Sequence, residues 1–368
     1  MSEEKIASLP HWRTTFTNGE AEAIARAIMK GHVSQGPVVA EFERQLAAYL
    51  KVPFVVATTS GSTALLMSMM AAELGPGDEV IVPNRTWIAT AHAPLLLGAK
   101  VKLVDVEPGR PIINAALVEK AITDRTRAII PVHLCGRSAD MRAINDIARR
   151  HQLLVIEDAA QALGSRNSDG LLGTQSDMGC FSLSVAKIIS TGQGGFIATK
   201  NEVLYRKLIA MRTQGVGDIV NAVWTTPGFN FRFTDILASV GLVQLGLLSA
   251  RIQKAKAIYQ AYVDGLQDVD MMKVIPVNLE QGEVPVYVEV LCERREEVID
   301  YLAAKGVQCR PFYPDLNTAK YFMNSGVYPN SIKYGTQGVY LPAGPEQSMR
   351  DIQSVISHIR EYCIVPSH

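Results

Sequence analysis

The chain has 368 residues, of which 48% are hydrophobic and 20% charged, a balance typical of a globular protein large enough for two domains. Its 36 basic side chains equal its 36 acidic ones, and no stretch concentrates lysine or arginine. Neither a nucleic acid nor an anionic membrane is therefore indicated as a partner.

Residues 1–10 carry charges but no apolar run, and the apolar stretches further along read as strand-length. These features predict neither a secretory signal nor a membrane span, which would need about 18 consecutive apolar residues. The five cysteines show no CxxC spacing, which argues against both a disulfide framework and a zinc site. We expect a cytoplasmic protein without a metal centre.

The first part of the chain alternates between helical and strand-like patterns. Two amphipathic helices are predicted first, over Gly19–Lys30 and Pro37–Leu50. Five apolar runs then predict strands: Phe54–Thr58, Glu79–Pro83, Val101–Val106, Ala128–Val132 and Leu153–Glu157. Helical patterns lie between most of them: Ser62–Leu74, Ile88–Leu97, Ala115–Ile122 and Met141–His151. Strands that are apolar on both faces and alternate with helices predict an α/β fold with a mainly parallel sheet covered by helices on both faces.

Beyond Asp158 the rhythm of the pattern changes. Two short strands are predicted around a glycine-rich turn, followed by one helix, an irregular segment and a second, long helix: Cys180–Ser184, Gly195–Thr199, Glu202–Gln214, Gly215–Thr234 and Asp235–Leu266. The remainder predicts a smaller α/β unit with one strand and two helices: Val284–Leu291, Arg295–Lys305 and Glu346–Tyr362. Since the long helix contains no strong breaker, we expect it to bridge a large domain (1–250) and a small C-terminal domain (251–368).

Two features lie where strands of the predicted sheet end, which is where open α/β sheets bind ligands. The segment Ser60–Thr63 follows a strand and opens a helix, so it fits a phosphate, although Ser and Thr are also the usual helix caps. Asp158 emerges from a buried strand, and its carboxylate needs a partner there. A protonated pyridine nitrogen, Mg²⁺ or an arginine would each satisfy it.

Lys187 stands in apolar company just before the glycine-rich turn Thr191–Gly195. A buried lysine often has a lowered pKa and serves as a Schiff-base nucleophile, whereas a lysine at a strand end can also extend to solvent. Ser184 and Lys187 also form an SxxK pattern, but the Lys-Thr-Gly partner motif of serine acyl enzymes is absent and these residues read as a strand. We therefore discount that alternative.

Taken together, these positions resemble the DegT/DnrJ/EryC1/StrS family of pyridoxal-phosphate-dependent (PLP-dependent) sugar aminotransferases, of the aspartate aminotransferase-like fold (PLP fold-type I). The similarity covers almost the whole chain. It is carried by an ordered series of motifs: Ser60–Leu65, Gly75–Pro83, Pro131–Gly136, Val155–Ala160, Lys187, Thr191–Gly195, Gly228–Arg232 and Arg310-Pro311.

The resemblance implies a set of roles, residue by residue. Lys187 would hold the cofactor as a Schiff base, and Asp158 would pair with its pyridinium nitrogen. The other cofactor-binding positions it implies are those for the phosphate (Gly61, Ser62, Ser182), the ring face (Trp87), the phenolic oxygen (Gln161) and the phosphate of the neighbouring subunit (Arg232). The last position implies a homodimer with shared active sites.

By the same resemblance, the amino donor is glutamate and the acceptor a nucleotide-linked keto sugar, with a 4-keto-6-deoxyhexose as the first choice, as in perosamine-synthase-like members. Amination of a 3-keto sugar or a keto-cyclitol is the second hypothesis. The third, of another class, is a PLP-binding regulatory protein without turnover, and the presence of Lys187 and Asp158 counts against it.

Overall fold

The computed structural model of the protein describes residues 9–12, 14–216, 223–322 and 326–364. Helix α1 (Asn18–Met29) begins at a capping box, in which Thr17 accepts from the backbone and Glu20 bonds back to Thr17. Helix α2 (Pro37–Leu50) has a proline in its first turn, where no backbone donor is needed. Both helices agree closely with the predicted bounds.

A seven-stranded sheet forms the centre of the fold. Its strands are β1 (Phe54–Thr58), β2 (Glu79–Pro83), β3 (Lys100–Val104), β4 (Thr126–Ile129), β5 (Leu154–Asp158), β8 (Met178–Ser182) and β9 (Gly195–Thr199). Their spatial order is β1-β9-β8-β5-β4-β2-β3. Only β9 runs antiparallel to its neighbours, and the pairs from β8 to β3 are parallel. The predicted mainly parallel sheet is confirmed.

Helices cover both faces of this sheet. The helices that follow its strands are α3 (Gly61–Ala71), α4 (Ala89–Leu96), α5 (Ala115–Ala121), α6 (Met141–His151) and α7 (Glu202–Arg212). Successive strand residues point to opposite faces. Accordingly, Val80 and Val82 lie in a core with α3 and α4, whereas Ile81 lies in a core with α6. This two-sided burial explains why the strands read as continuous apolar runs.

The second sheet is antiparallel and belongs to the C-terminal part. Its strands, in spatial order, are β10 (Met272–Val274), β11 (Val288–Cys292), β13 (Gly338–Leu341) and β12 (Arg310–Pro311). The accompanying helices are α9 (Arg295–Ala304), α10 (Pro329–Gln337) and α11 (Met349–Ile364). The fold class is thus confirmed as α/β with a large, mainly parallel sheet and a smaller C-terminal unit.

Helix α8 (Asp235–Leu266) connects the two parts and has the predicted bounds. Its residues Ala238 and Leu248 lie in the core beside the large sheet, and Tyr262 and Leu266 lie in the core of the small one. The helix crosses residue 250 without a break, so the division at that position stays a prediction.

Among the described residues, α8 is the one helix long and apolar enough to cross a membrane, with a mean hydropathy of 1.4 over its most apolar window. The expectation that apolar runs stay strand-length is therefore wrong for this helix. Buried core helices pass the same test, and 44% of that window is buried in the fold. The helix is weak support for a membrane span.

Two other expectations are corrected by the structure, and several elements were not predicted. Strand β8 ends at Ser182, and Ser184 to Lys187 form a turn closed by the Lys187 N–H and the Ser184 carbonyl at 3.2 Å. The predicted strand at Val284 begins only at Val288, because the chain before it packs against the loop after β5. The unpredicted elements are mostly strands of two to four residues, too short for a pattern: β6 (Arg166–Asn167), β7 (Gly170–Leu171), β10, β12, β13 and helix α10. Part of the predicted irregular segment, residues 217–222, lies outside the described residues.

Candidate active site

A cavity of about 500 Å³ opens at the carboxyl ends of the parallel strands. It is bounded by the loops after β1, β2, β5 and β8, and the small C-terminal unit closes it from the other side. Seven of the residues singled out in the sequence line it: Gly61, Ser62, Trp87, Asp158, Gln161, Ser182 and Lys187. The position agrees with the rule that open α/β sheets bind ligands at this edge.

Asp158 is the last residue of β5 and is almost fully buried in the cavity wall. The Thr90 hydroxyl donates to its Oδ2 at 2.7 Å, and the Ala160 N–H donates to its Oδ1 at 3.1 Å. Burial raises the pKa of the Asp158 carboxyl, and these two hydrogen bonds and the charge of Lys187 offset part of that rise. A cationic group bound beside Asp158 would lower its pKa further.

Lys187 follows β8 and reaches the same cavity from the turn at Ser184. Burial lowers the pKa of the Lys187 ammonium, while the negative charge of Asp158 opposes the shift. The two side chains therefore influence each other across one small space, and a larger fraction of the lysine is neutral than in water. A neutral amine is the form that attacks a carbonyl.

The start of α3 forms a cradle for an anion beside these two residues. Ser60 is the N-cap, and its Oγ accepts from the Thr63 N–H at 3.0 Å. The cap interpretation thus holds for Ser60, whereas Gly61 and Ser62 line the cavity with the first-turn N–H groups that have no partner inside a helix. A Cβ at Gly61 would stand 2.8 Å from the Cβ of Ser182, so only glycine lets the backbone come this close.

Gln161 has its amide orientation fixed by the backbone. Its Oε1 accepts from the Cys135 N–H at 2.9 Å, and a backbone N–H can only donate, so the Nε2 amide group is left to line the cavity. Trp87 is half-exposed at the cavity, with its ring edge-on to Tyr313 at 5.6 Å between centroids. Gln161 thus presents its Nε2 amide group to the cavity, and Trp87 presents its ring.

Glu157 precedes Asp158 and points to the opposite face of β5, as strand alternation requires. It is fully buried, 2.9 Å from His133 Nε2, and accepts from the Gly173 N–H at 2.7 Å and from the Ser176 hydroxyl at 2.9 Å. Burial alone would raise the pKa of the Glu157 carboxyl, but the hydrogen bonds and the charge of His133 bring it below its ordinary value. This network fixes the end of β5 on the face opposite to Asp158.

Several residues of the cavity wall were not found from the sequence. Besides Arg310, which belongs to a motif of the family resemblance, the C-terminal unit contributes Tyr287, Tyr313 and Tyr340, and the N-terminal segment contributes His11. These residues are far from one another along the chain, and no local pattern marks them. Thr90, the partner of Asp158, reads in the sequence only as part of a helix.

Arg232 does not join this cavity. It lies in a separate surface hollow together with Ser34, Gln35, Thr213 and Trp224. Within one chain the structure therefore separates Arg232 from the other predicted cofactor-binding residues, and its role toward a neighbouring subunit stays a prediction.

The model of the DegT/DnrJ/EryC1/StrS aminotransferase family matches residues 15–360. Among curated proteins, the chain is 34% identical to GDP-perosamine synthase of Caulobacter vibrioides, over 90% of this chain and 91% of that protein. It is 33% identical to dTDP-3-amino-3,4,6-trideoxy-alpha-D-glucose transaminase of Streptomyces venezuelae, over 92% and 91%. Among solved structures, the PLP-form of the putative sugar aminotransferase Spr1654 from Streptococcus pneumoniae has a TM-score of 0.91 at 26% identity, over 97% of this chain and all of that one.

Proposed function

We propose a function on the premise that this chain belongs to the DegT/DnrJ/EryC1/StrS aminotransferase family and uses pyridoxal phosphate. The protein transfers an amino group from glutamate to a nucleotide-linked keto sugar, and Lys187 and Asp158 are the catalytic residues. The observation that carries this proposal is the single cavity in which both side chains are desolvated and influence each other's pKa.

The residues of the cavity fit the cofactor. In the cradle of Gly61, Ser62 and Ser182, the missing Cβ at Gly61 lets the start of α3 lie close to Ser182, and the free N–H groups of this helix start suit a phosphate. Burial raises the pKa of the Asp158 carboxyl, and a protonated ring nitrogen beside it would stabilise its ionised form. When bound, pyridoxal phosphate supplies a carbonyl group that reacts with amines and a ring that accepts electrons.

Each side chain then has a defined task. Asp158 would stabilise a positive charge at the ring nitrogen, and Thr90 would keep the carboxylate ionised and oriented. The Gln161 amide would donate toward the phenolic oxygen, and Trp87 would cover the face of the ring. Lys187 Nζ would hold the cofactor covalently at rest and, once released, would take a proton from the substrate carbon and return it during transfer.

The acceptor is proposed from the relatives. The first choice is a nucleotide-linked 4-keto-6-deoxyhexose, supported by 34% identity to a GDP-perosamine synthase. A 3-keto sugar is the second candidate, supported by 33% identity to a dTDP-3-amino-sugar transaminase, and a keto-cyclitol is kept beside it. A regulatory PLP-binding role without turnover has less support because Lys187 is present and lines the cavity.

We further propose a cytoplasmic homodimer with shared active sites and no membrane association. Exposed apolar side chains stand near Arg232, including Trp224 (75% exposed) and Phe229 (69%), and such patches are typical of interfaces. The burial of α8 in both cores supports a protein outside the membrane. The free cysteines fit a reducing compartment.

The test separates the two half-reactions. Glutamate alone should convert the cofactor of the purified protein, which is followed by absorbance, and a panel of nucleotide-linked 4-keto and 3-keto sugars should then yield an amino sugar of the expected mass. The Lys187→Ala protein is the matched control and should show neither step. Conversion by glutamate without product from any nucleotide sugar would contradict the proposed acceptor, and no response to glutamate would contradict the donor.

A further inference from the structure

The N-terminal segment, Leu9 to Trp12, is fastened to the C-terminal unit. Leu9 forms a parallel bridge with Val307, and the Gln308 N–H donates to the Leu9 carbonyl at 2.9 Å. Two residues later the His11 carbonyl accepts from the Ala343 N–H at 3.1 Å. These contacts hold the backbone of His11 on both sides.

Trp12 connects the N-terminal segment to the turn formed by Ser184 to Lys187. Its ring packs on Tyr287 with centroids 5.0 Å apart, and its Nε1–H donates to the Val185 carbonyl at 3.1 Å. Val185 is two residues before Lys187. The segment therefore spans from the small unit to the catalytic turn, and His11 becomes part of the cavity wall.

The hydrogen bonds of His11 define its tautomer. The His11 backbone N–H donates to Gln308 Oε1 at 3.3 Å, and a backbone N–H only donates, so that atom of Gln308 is an oxygen. The ring Nδ1 of His11 lies 3.3 Å from the same oxygen, which only accepts. The proton of the neutral ring is consequently on Nδ1, and Nε2 carries a lone pair.

The charge state of this ring follows from its neighbours. Burial lowers the pKa of His11, and the positive charge of Arg310 lowers it further, although the bond to Gln308 acts in the opposite direction. The ring is therefore neutral at pH 7. Within the described ranges, His11 Nε2 has no hydrogen-bond partner, so its lone pair is available in a wall of the cavity.

The geometry points to His11 as a substrate-binding residue, whose Nε2 accepts a hydrogen bond from a hydroxyl group of the nucleotide-linked sugar. The inference rests on the proposed function for the class of substrate. It adds a residue of the N-terminal segment to the site and gives that segment the task of holding the acceptor beside Lys187. Gln308 acts through His11 as a positioning residue.

The test is a binding measurement on the PLP-loaded enzyme without turnover. Calorimetry with GDP-mannose and dTDP-glucose, and with GDP and dTDP alone, would compare the wild type with His11→Phe and His11→Gln. Phenylalanine keeps the ring area but has no acceptor, whereas the glutamine oxygen can reach the place of Nε2. We expect about a tenfold higher Kd for the better sugar nucleotide in His11→Phe and a value within about threefold of wild type in His11→Gln.

The nucleoside diphosphates show which hydroxyl is bound. An unchanged Kd for GDP or dTDP in His11→Phe would place the hydroxyl on the hexose, and an equal loss would place it on the ribose; both support the inference. The exposed His151, substituted by phenylalanine, is the matched control and should leave every Kd unchanged, and unfolding temperatures show that each variant is folded.

Equal Kd values in the wild type and His11→Phe would overturn the inference, as would a His11→Gln protein that binds as weakly as His11→Phe. Failure of the wild type to bind either sugar nucleotide would also contradict it. The aminotransferase assignment is tested separately, because conversion of the cofactor by glutamate does not enter these measurements.

Discussion

Replacing Thr90 with valine removes one hydroxyl group from the site and leaves its shape unchanged. The Thr90 hydroxyl has a single proton, and its shortest contact is 2.7 Å to Asp158 Oδ2, compared with 3.0 Å to the Trp87 carbonyl. The proton therefore belongs to the bond with the carboxylate. Valine cannot donate it, and among the residues that the structure describes Asp158 then keeps only the Ala160 N–H as a donor.

The expected cost follows from the class of bond. A buried hydrogen bond to a charged group contributes about 1.5–3 kcal/mol, and this one stabilises the ionised form of Asp158. Its loss raises the pKa of Asp158 beyond the rise that burial already causes, so the carboxylate holds a protonated ring nitrogen less firmly. We expect the Kd for pyridoxal phosphate to increase about 10- to 100-fold, since every 1.4 kcal/mol is a factor of ten.

The assay is a titration of the cofactor-free protein with pyridoxal phosphate, followed by absorbance, in the wild type, Thr90→Val and Thr90→Ser. Serine keeps the hydroxyl and is the matched control, so its Kd should stay within a few-fold of wild type. A Thr90→Val protein that is folded and binds the cofactor as tightly as wild type would refute the reasoning that Asp158 depends on this donor.

Three further outcomes are expected from the geometry. Gly61→Ala places a Cβ 2.8 Å from the Cβ of Ser182, so the two segments must move apart; it should lower the unfolding free energy of the cofactor-free protein by about 1–3 kcal/mol and also weaken cofactor binding in the same titration. Glu157→Gln puts an amide NH₂ among donors and should cost about 1–3 kcal/mol of unfolding free energy at pH 7. The folded-state pKa of Glu157 lies below its ordinary value of 4.5, so its contribution to stability is present above pH 4.5 and is lost as the pH falls through the lowered pKa. The unfolding free energies of wild type and variant, measured by denaturant titration, should therefore converge in acid. A difference that stays constant with pH would contradict the network. Gly136→Ala combines φ +83° with a clash against the Val284 carbonyl and should destabilise the fold by several kcal/mol, about 3 or more, whereas an unchanged unfolding temperature would show that the loop relaxes freely.

Much of the site was accessible from the sequence because it depends on strand ends. Asp158 directly follows a recognisable apolar strand, and Ser60 to Ser62 open a helix after another, so the sheet rule alone predicts that they lie together. Lys187 was found for its unusual surroundings, although the turn that presents it read as a strand. Alternation of apolar runs and helices likewise predicted the large sheet, because both faces of its strands are buried.

The remaining parts depend on contacts between distant segments. His11 and Tyr340 meet at the cavity across more than three hundred residues of chain, and no local pattern encodes such a meeting. Thr90 is an unremarkable helix residue until α4 is packed beside β5. The short strands of the second sheet escaped prediction for a related reason, since two or three residues carry no periodicity.

The most direct test of the whole account is to reduce the PLP-loaded protein with borohydride, which converts a cofactor–lysine linkage into a stable amine, and to map the modified peptide by mass spectrometry. The account predicts that the cofactor is found on Lys187 and that the Lys187→Ala protein gives no modified peptide. A modification on another lysine in a fully active protein, or none at all, would contradict it.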